Sequence, residues 1–148
     1  MIMTISMYFL VAVICAASWT DWRYRLIPNS LLLPFFMIAL TVNSITEGVN
    51  GFVSSIAGLS VGFALLIIPY LFGGIGAGDV KLLMVIGSFG GVHLVIGSFL
   101  LGAIVGGIFS IGIYLYNFAS HKKITALPYG IALALGTGFF IILGNGRL

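Results

Sequence analysis

Six apolar stretches, near residues 3–20, 30–46, 51–72, 80–91, 93–118 and 127–144, take up most of this chain, and its polar punctuation falls between them. Only 6% of the residues are charged, against about 25% in soluble domains, and 61% are hydrophobic. A bilayer crossing takes about 20 apolar residues, so 148 residues allow six short helices and leave little for a soluble domain. The expected fold is an all-α integral membrane protein, a polytopic bundle of about six transmembrane helices that forms one membrane-embedded domain over residues 1–148. The fourth stretch is the shortest and either leans steeply or merges with the glycine-rich loop before it; the fifth is long enough to tilt. No basic segment precedes the first stretch, so Met3 to Thr20 is read as a retained span rather than a cleaved signal.

The basic residues orient the bundle. With the N-terminus outside, the loops at 21–29, 73–81 and 119–126 face the cytoplasm and carry Arg23, Arg25, Lys81, Lys122 and Lys123, leaving only Arg147 of the six basic residues outside. Trp19, Trp22 and Tyr24 supply an aromatic anchor at the same interface. A net charge of +3 scattered beside hydrophobic ends forms no basic stripe, so a nucleic-acid partner is not expected and the lipid bilayer is.

Against this background the acidic residues stand out. There are three, and two of them, Asp21 and Asp79, fall at the ends of apolar stretches on the same predicted face. A carboxylate at a helix centre costs about 2.5 to 3.5 kcal/mol on insertion scales and remains unfavourable near an interface. Two held close cannot both ionise cheaply, so they titrate as a pair. In such a pair one ionised carboxylate activates water while its protonated partner polarises a carbonyl, which is the working arrangement of an aspartic protease. Two helices can bring the pair together across a bundle interior.

Asp79 closes the run Gly73-Gly74-Ile75-Gly76-Ala77-Gly78-Asp79. Gly74, Gly76 and Gly78 are expected to permit unusual dihedrals and close approach of a substrate backbone, in a stretch of non-helical chain that lines a wet cavity. The spacing Gly73-x-x-x-x-Gly78 opens like a phosphate loop, but Asp79 stands where that motif requires lysine and would repel a phosphate. The structural alternatives are an N-cap role for Asp79 before Val80-Lys81-Leu82-Leu83 and an ion pair of Asp21 with Arg23 or Arg25. Lys81 is read either as a snorkelling orientation signal or as a group that tunes the carboxylates.

Other features are read as architecture. Pro28-Asn29 is expected to start the second helix, with Pro34 inside it, and Pro69 to kink the third. Gly58/Gly62, Gly87/Gly91 and Gly102/Gly106 are small-xxx-small pairs, read as packing within the bundle, with a homodimer through one of these faces as the alternative. Cys15 is read as a small apolar filler. His93 and His121 have no acidic or cysteine partner at metal-ligand spacing, so neither a metal nor another cofactor is expected.

Three segments carry a resemblance. Gly76-Ala77-Gly78-Asp79-Val80-Lys81-Leu82 resembles the GxGD signature of the bacterial type IV prepilin peptidases. Asp21-Trp22-Arg23-Tyr24-Arg25-Leu26-Ile27-Pro28-Asn29 resembles that family's other element, an aspartate followed by Arg-x-Ile-Pro-Asn. Leu127-Pro128-Tyr129-Gly130-Ile131-Ala132 resembles its late Pro-Phe/Tyr-Gly stretch. Presenilin-like proteins share the glycine-Asp element but place a tyrosine before the first aspartate, where this chain has Thr20.

The resemblance implies a membrane aspartic endopeptidase of the inner membrane. Such an enzyme cuts the short basic leader from prepilins or prepilin-like secretion subunits at the cytoplasmic face, after a glycine and before the substrate's hydrophobic stretch. Asp21 and Asp79 carry over as the catalytic pair, with Gly76, Gly78 and Lys81 as substrate-binding or loop-support residues. Larger members carry paired Cys-x-x-Cys motifs linked to N-methylation. With Cys15 as the single cysteine, methyltransferase activity is not expected, and the resemblance is to the minimal peptidase-only branch of Flp/Tad-type pili. The competing readings are a proton- or cation-coupled transport subunit that uses the same aspartates and a non-catalytic assembly factor of a secretion machine.

The orientation is directly testable. In a Cys15→Ala background, Arg23→Cys and Lys122→Cys should resist a membrane-impermeant thiol reagent on intact cells, while Asn50→Cys reacts. Labelling in the opposite pattern would reverse the topology.

Overall fold

A computed structural model describes residues 2–24, 26–120 and 129–144, all of whose regular structure is helical. The elements are α1 (Ile2–Tyr24), α2 (Asn29–Glu47), α3 (Val49–Leu71), α4 (Ala77–Ser120) and α5 (Tyr129–Leu143). Four of them, α1 to α4, are long and apolar enough to cross a membrane, and α5 is a shorter apolar helix. Exposed side chains are themselves apolar, among them Phe63, Leu100 and Ile104, as hydrocarbon surroundings require. The chain is therefore a multi-pass membrane bundle. Its core is formed by Leu10, Val13 and Ala17 of α1, Leu66 of α3, Leu82, Leu83 and Ile86 of α4, and Leu133 of α5, all fully buried.

Helix α2 begins where Pro28, in extended conformation at φ −73° and ψ 144°, accepts hydrogen bonds from the Leu31 and Leu32 amides. Pro34 and Pro69 both lie inside helices, and α3 ends two residues after Pro69. A single residue, Gly48 at φ +62°, separates α2 from α3, a left-handed conformation that favours glycine.

The expected fourth and fifth stretches are two segments of α4. At about 1.5 Å per residue the 44 residues of α4 would run about 66 Å, twice the thickness of a hydrocarbon core of about 30 Å. The chain resolves this at Gly91, where φ +67° and ψ −164° interrupt the helix. The break separates residues 77–90 from 92–120, close to the boundary the hydrophobic pattern indicates.

Such a break frees carbonyls in the turn before it, and in lipid each unsatisfied group costs several kcal/mol. Asn43 of α2 meets that need. Its Nδ2 lies 3.0 Å from the Ser88 carbonyl oxygen, 3.1 Å from that of Phe89 and 2.9 Å from Ser55 Oγ. Ser6 of α1 in turn donates to Asn43 Oδ1 at 3.2 Å. Four elements are thus tied together at the kink.

The glycine pairs pack inside the chain. A Cβ on Gly58 of α3 would fall on the backbone of Gly87 in α4, and one on Gly87 would fall on Gly58. Gly136 of α5 meets the backbone of Gly102 in the same way. These are helix crossings at backbone contact, which only small residues allow. Cys15 is not a core filler: it lies exposed, beside Ile131, Ala134 and Leu135 of α5. His93 is exposed just after the kink with its ring 5.3 Å from that of Phe140, while His121 lies outside the described residues.

Removing the kink's hydrogen-bond partner should be costly. Asn43→Ala is expected to lower stability by about 1 to 2 kcal/mol in a detergent unfolding titration. An unchanged midpoint would show that other groups satisfy the Ser88 and Phe89 carbonyls.

Candidate active site

The C-terminal turn of α1, the start of α2 and the start of α4 meet at one end of the bundle around an open pocket of about 340 Å³. Its lining includes Asp21, Ile27, Asn29, Gly76, Gly78, Asp79 and Lys81, whereas Gly74, also expected near a substrate, is not in it. Glu47, the remaining acid, ends α2 and takes no part in the lining. Asp21 and Asp79 are 7% and 8% exposed, and the charge of Asp21 is felt at Asp79.

Asp79 is the third residue of α4, not the residue before it. The helix starts at Ala77, and the Gly76 carbonyl accepts from the amides of Asp79 at 3.1 Å and Val80 at 3.4 Å. In return the Gly76 amide donates to Asp79 Oδ2 at 3.2 Å. This is the reciprocal half of a capping box, with the acid three residues inside the cap, and it draws the glycine run into the first turn. The positive end of the helix dipole also favours a carboxylate here. Within the glycine run the left-handed residue is Gly73, at φ +74°, and not Gly74, Gly76 or Gly78.

Gly78 lacks a side chain for a packing reason as well. A Cβ there would lie 3.0 Å from Ile27 Cβ and 3.4 Å from its Cγ1. Lys81, one turn further, donates from Nζ to Asn29 Oδ1 at 2.8 Å, joining α4 to the first residue of α2 at the pocket rim. Trp19, Trp22 and Tyr24 are exposed around the end of α1, and Trp19 and Trp22 stack edge to face with centroids 6.2 Å apart. Arg23 lies over the Tyr24 ring at 5.8 Å, and Arg25 is outside the described residues.

Sequence reasoning did not assign Ile27, Asn29, Tyr129 or Gly130 to the site. A Cβ on Gly130 would lie 2.7 Å from Asp21 Oδ2, so the backbone of α5 backs directly onto that carboxylate. Tyr129 stands within electrostatic reach of Asp79, and its ring packs on Gly106 of α4, where a Cβ would come within 3.1 Å. The signals were present in the Ile-Pro-Asn and Pro-Tyr-Gly segments, but nothing local says that α5 closes the back of the site. Among the described residues no three His, Cys, Asp or Glu side chains are grouped to hold a metal ion.

A family model described as the type IV leader peptidase family matches residues 8–111. The chain is 29% identical over 143 residues to a prepilin leader peptidase/N-methyltransferase of Bacillus subtilis, covering 95% of this chain and 54% of the relative. It is 29% identical over 137 residues to the protein of that name from Pseudomonas putida, covering 88% and 46%. The corresponding protein of Stutzerimonas stutzeri is 30% identical over 141 residues, covering 88% and 46%. The chain thus spans about half the length of the curated relatives it matches. No solved structure matches it at a significant level.

Two buried carboxyl groups at one pocket cannot both ionise cheaply, so replacing either should not harm stability. Asp21→Asn and Asp79→Asn are each expected to hold the unfolding midpoint in detergent or raise stability by up to about 2 kcal/mol. In the latter variant the new side-chain amide oxygen can still accept from the Gly76 amide. Losses above about 1 kcal/mol in both variants would make the carboxylates structural caps.

Proposed function

The chain belongs to the type IV leader peptidase family, and from that premise we propose that it is a membrane aspartic endopeptidase. It cleaves the basic leader from prepilins or prepilin-like secretion subunits at the cytoplasmic face of the inner membrane, and does so as a single membrane-embedded domain. The observation that carries this reading is the arrival of Asp21 and Asp79, from two different helices, in the lining of one open pocket.

Peptide hydrolysis at such a pair needs no other protein group to bond covalently to the substrate. The ionised carboxylate takes a proton from water as its oxygen attacks the scissile carbonyl carbon. The protonated carboxyl donates to the carbonyl oxygen as that oxygen gains charge. Collapse of the tetrahedral species breaks the C–N bond, with a proton passing to the leaving nitrogen. The backbone of Gly76 and Gly78 lies at the pocket wall, where an extended substrate can approach. The Lys81–Asn29 hydrogen bond supports a role in holding α2 and α4 at their separation across the opening. A basic leader lies naturally at an anionic cytoplasmic surface while the substrate's hydrophobic segment enters the bilayer.

The placement of both acids at helix ends favours hydrolysis over a transport relay, which would use a carboxylate deep in a span. The relatives' name includes N-methyltransferase; for this chain we propose the peptidase step alone.

Asp21→Asn and Asp79→Asn should each abolish processing of a co-expressed prepilin at matched protein level. The double variant should be no worse than either single one, because residues that act as a unit are non-additive. The pH–rate profile should be bell-shaped and belong to the pair. Substantial processing by either variant would remove the two-carboxylate mechanism.

A further inference from the structure

Ile27 lies in the three-residue non-helical segment before α2, at the rim of the carboxylate pocket, yet it is only 5% exposed. Two glycines make its seat. On one side its Cβ, Cγ1 and backbone nitrogen lie 3.0, 3.4 and 3.4 Å from where a Cβ of Gly78 would stand. On the other its Cδ1 lies 3.1 Å from the corresponding position on Gly130. Gly78 immediately precedes Asp79, and the Cβ position of Gly130 is 2.7 Å from Asp21 Oδ2. One branched side chain therefore fills the space between the turn that carries Asp79 and the turn that backs Asp21.

We propose that Ile27 is a positioning residue, a spacer seated between Gly78 and Gly130 whose shape sets the separation of the two carboxylates. This rests on the peptidase reading. β-branching holds χ1 stiff and so fixes the direction of Cγ1, while the wall at Gly130 confines Cδ1. Packed interiors register the loss of a single methylene, and a misplacement of about 1 Å at a reacting centre can cost about 10²-fold in rate. The two glycines are the matching half of the device. A methyl group at either would meet Ile27, and at Gly130 it would also meet the Asp21 carboxylate.

The test is steady-state cleavage by the full chain in lipid nanodiscs, on a substrate with a basic leader followed by an apolar helix. Ile27→Ala should lower kcat about 10²-fold with KM within about twofold, and should move the two limbs of the pH–rate profile relative to each other. Among the described residues, Tyr129 and Lys81 are the other titratable groups at the site, and none of these variants replaces them. Ile27→Val, which removes only Cδ1, should lower kcat less than Ile27→Ala but move the same limbs of the profile in the same direction. Gly138→Ala, where a Cβ meets nothing within 4 Å, should behave as the parent.

Normal kcat and an unmoved pH profile in Ile27→Ala would overturn the spacer. So would a loss explained wholly by less folded protein with the profile unchanged, or an Ile27→Val variant with the parent's kcat and profile. If Ile27→Ala fails to fold, the kcat and pH profile of Ile27→Val decide alone. Asp21→Asn and Asp79→Asn run alongside separate the two levels: activity in those variants overturns the peptidase reading, whereas their inactivity beside a normal Ile27→Ala overturns only the spacer.

Discussion

Two carboxylates sit buried at one pocket at the end of an apolar bundle, and most of the local architecture answers to that. Both acids are buried, and the charge of Asp21 works against that of Asp79. Asp79 is held by the Gly76 amide and by the start of α4, where the helix dipole favours negative charge. Asp21 is backed by Gly130, a residue with no side chain to separate it from α5. Elsewhere the bundle closes at backbone contact, at the glycine crossings of α3 with α4 and of α4 with α5.

The kink in α4 belongs to the same arrangement. A straight helix of this length could not keep its first turn at the level of the α1 C-terminus while packing on both α3 and α5. Breaking at Gly91 gives a short first segment, with Asp79 at its start and carbonyls at its end that Asn43 bonds. Ser6, Ser55 and Asn43 form a polar knot inside otherwise apolar packing. The knot and the carboxylate pocket lie at opposite ends of that segment, so the position of one constrains the other.

Much of this was legible without coordinates. The alternation of apolar spans put Asp21 and Asp79 on one face, and Pro28-Asn29 marked the start of α2 because proline suits a helix entrance. The glycine pairs announced helix crossings by their four-residue spacing. Other features were hidden for physical reasons. Glycines ordinarily argue against a helix, so its start at Ala77 was invisible without the Gly76–Asp79 hydrogen bond. Asn43 reads as a polar residue near a helix end until the carbonyls it bonds are known. Ile27 looks like any apolar residue in a short connection, and only long-range packing against Gly78 and Gly130 reveals what it separates. Cys15 shows the reverse error, since a small apolar residue in a membrane helix suits a lipid-facing position as well as a core.

In the proposed mechanism Asp21 and Asp79 together recognise the tetrahedral, hydroxyl-bearing carbon that forms when water adds to the scissile amide. Enzymes bind transition-state analogues about 10²- to 10⁸-fold more tightly than substrates, because complementarity is built for the transition state. The most direct measurement is the affinity of a leader-spanning peptide whose scissile amide is replaced by hydroxyethylene, compared with the uncleaved amide parent. The native protein should prefer the hydroxyethylene peptide at least about 10²-fold, and both Asp21→Asn and Asp79→Asn should lose that preference. Equal binding of the two peptides by the native protein, or a preference that survives in both variants, would contradict the mechanism.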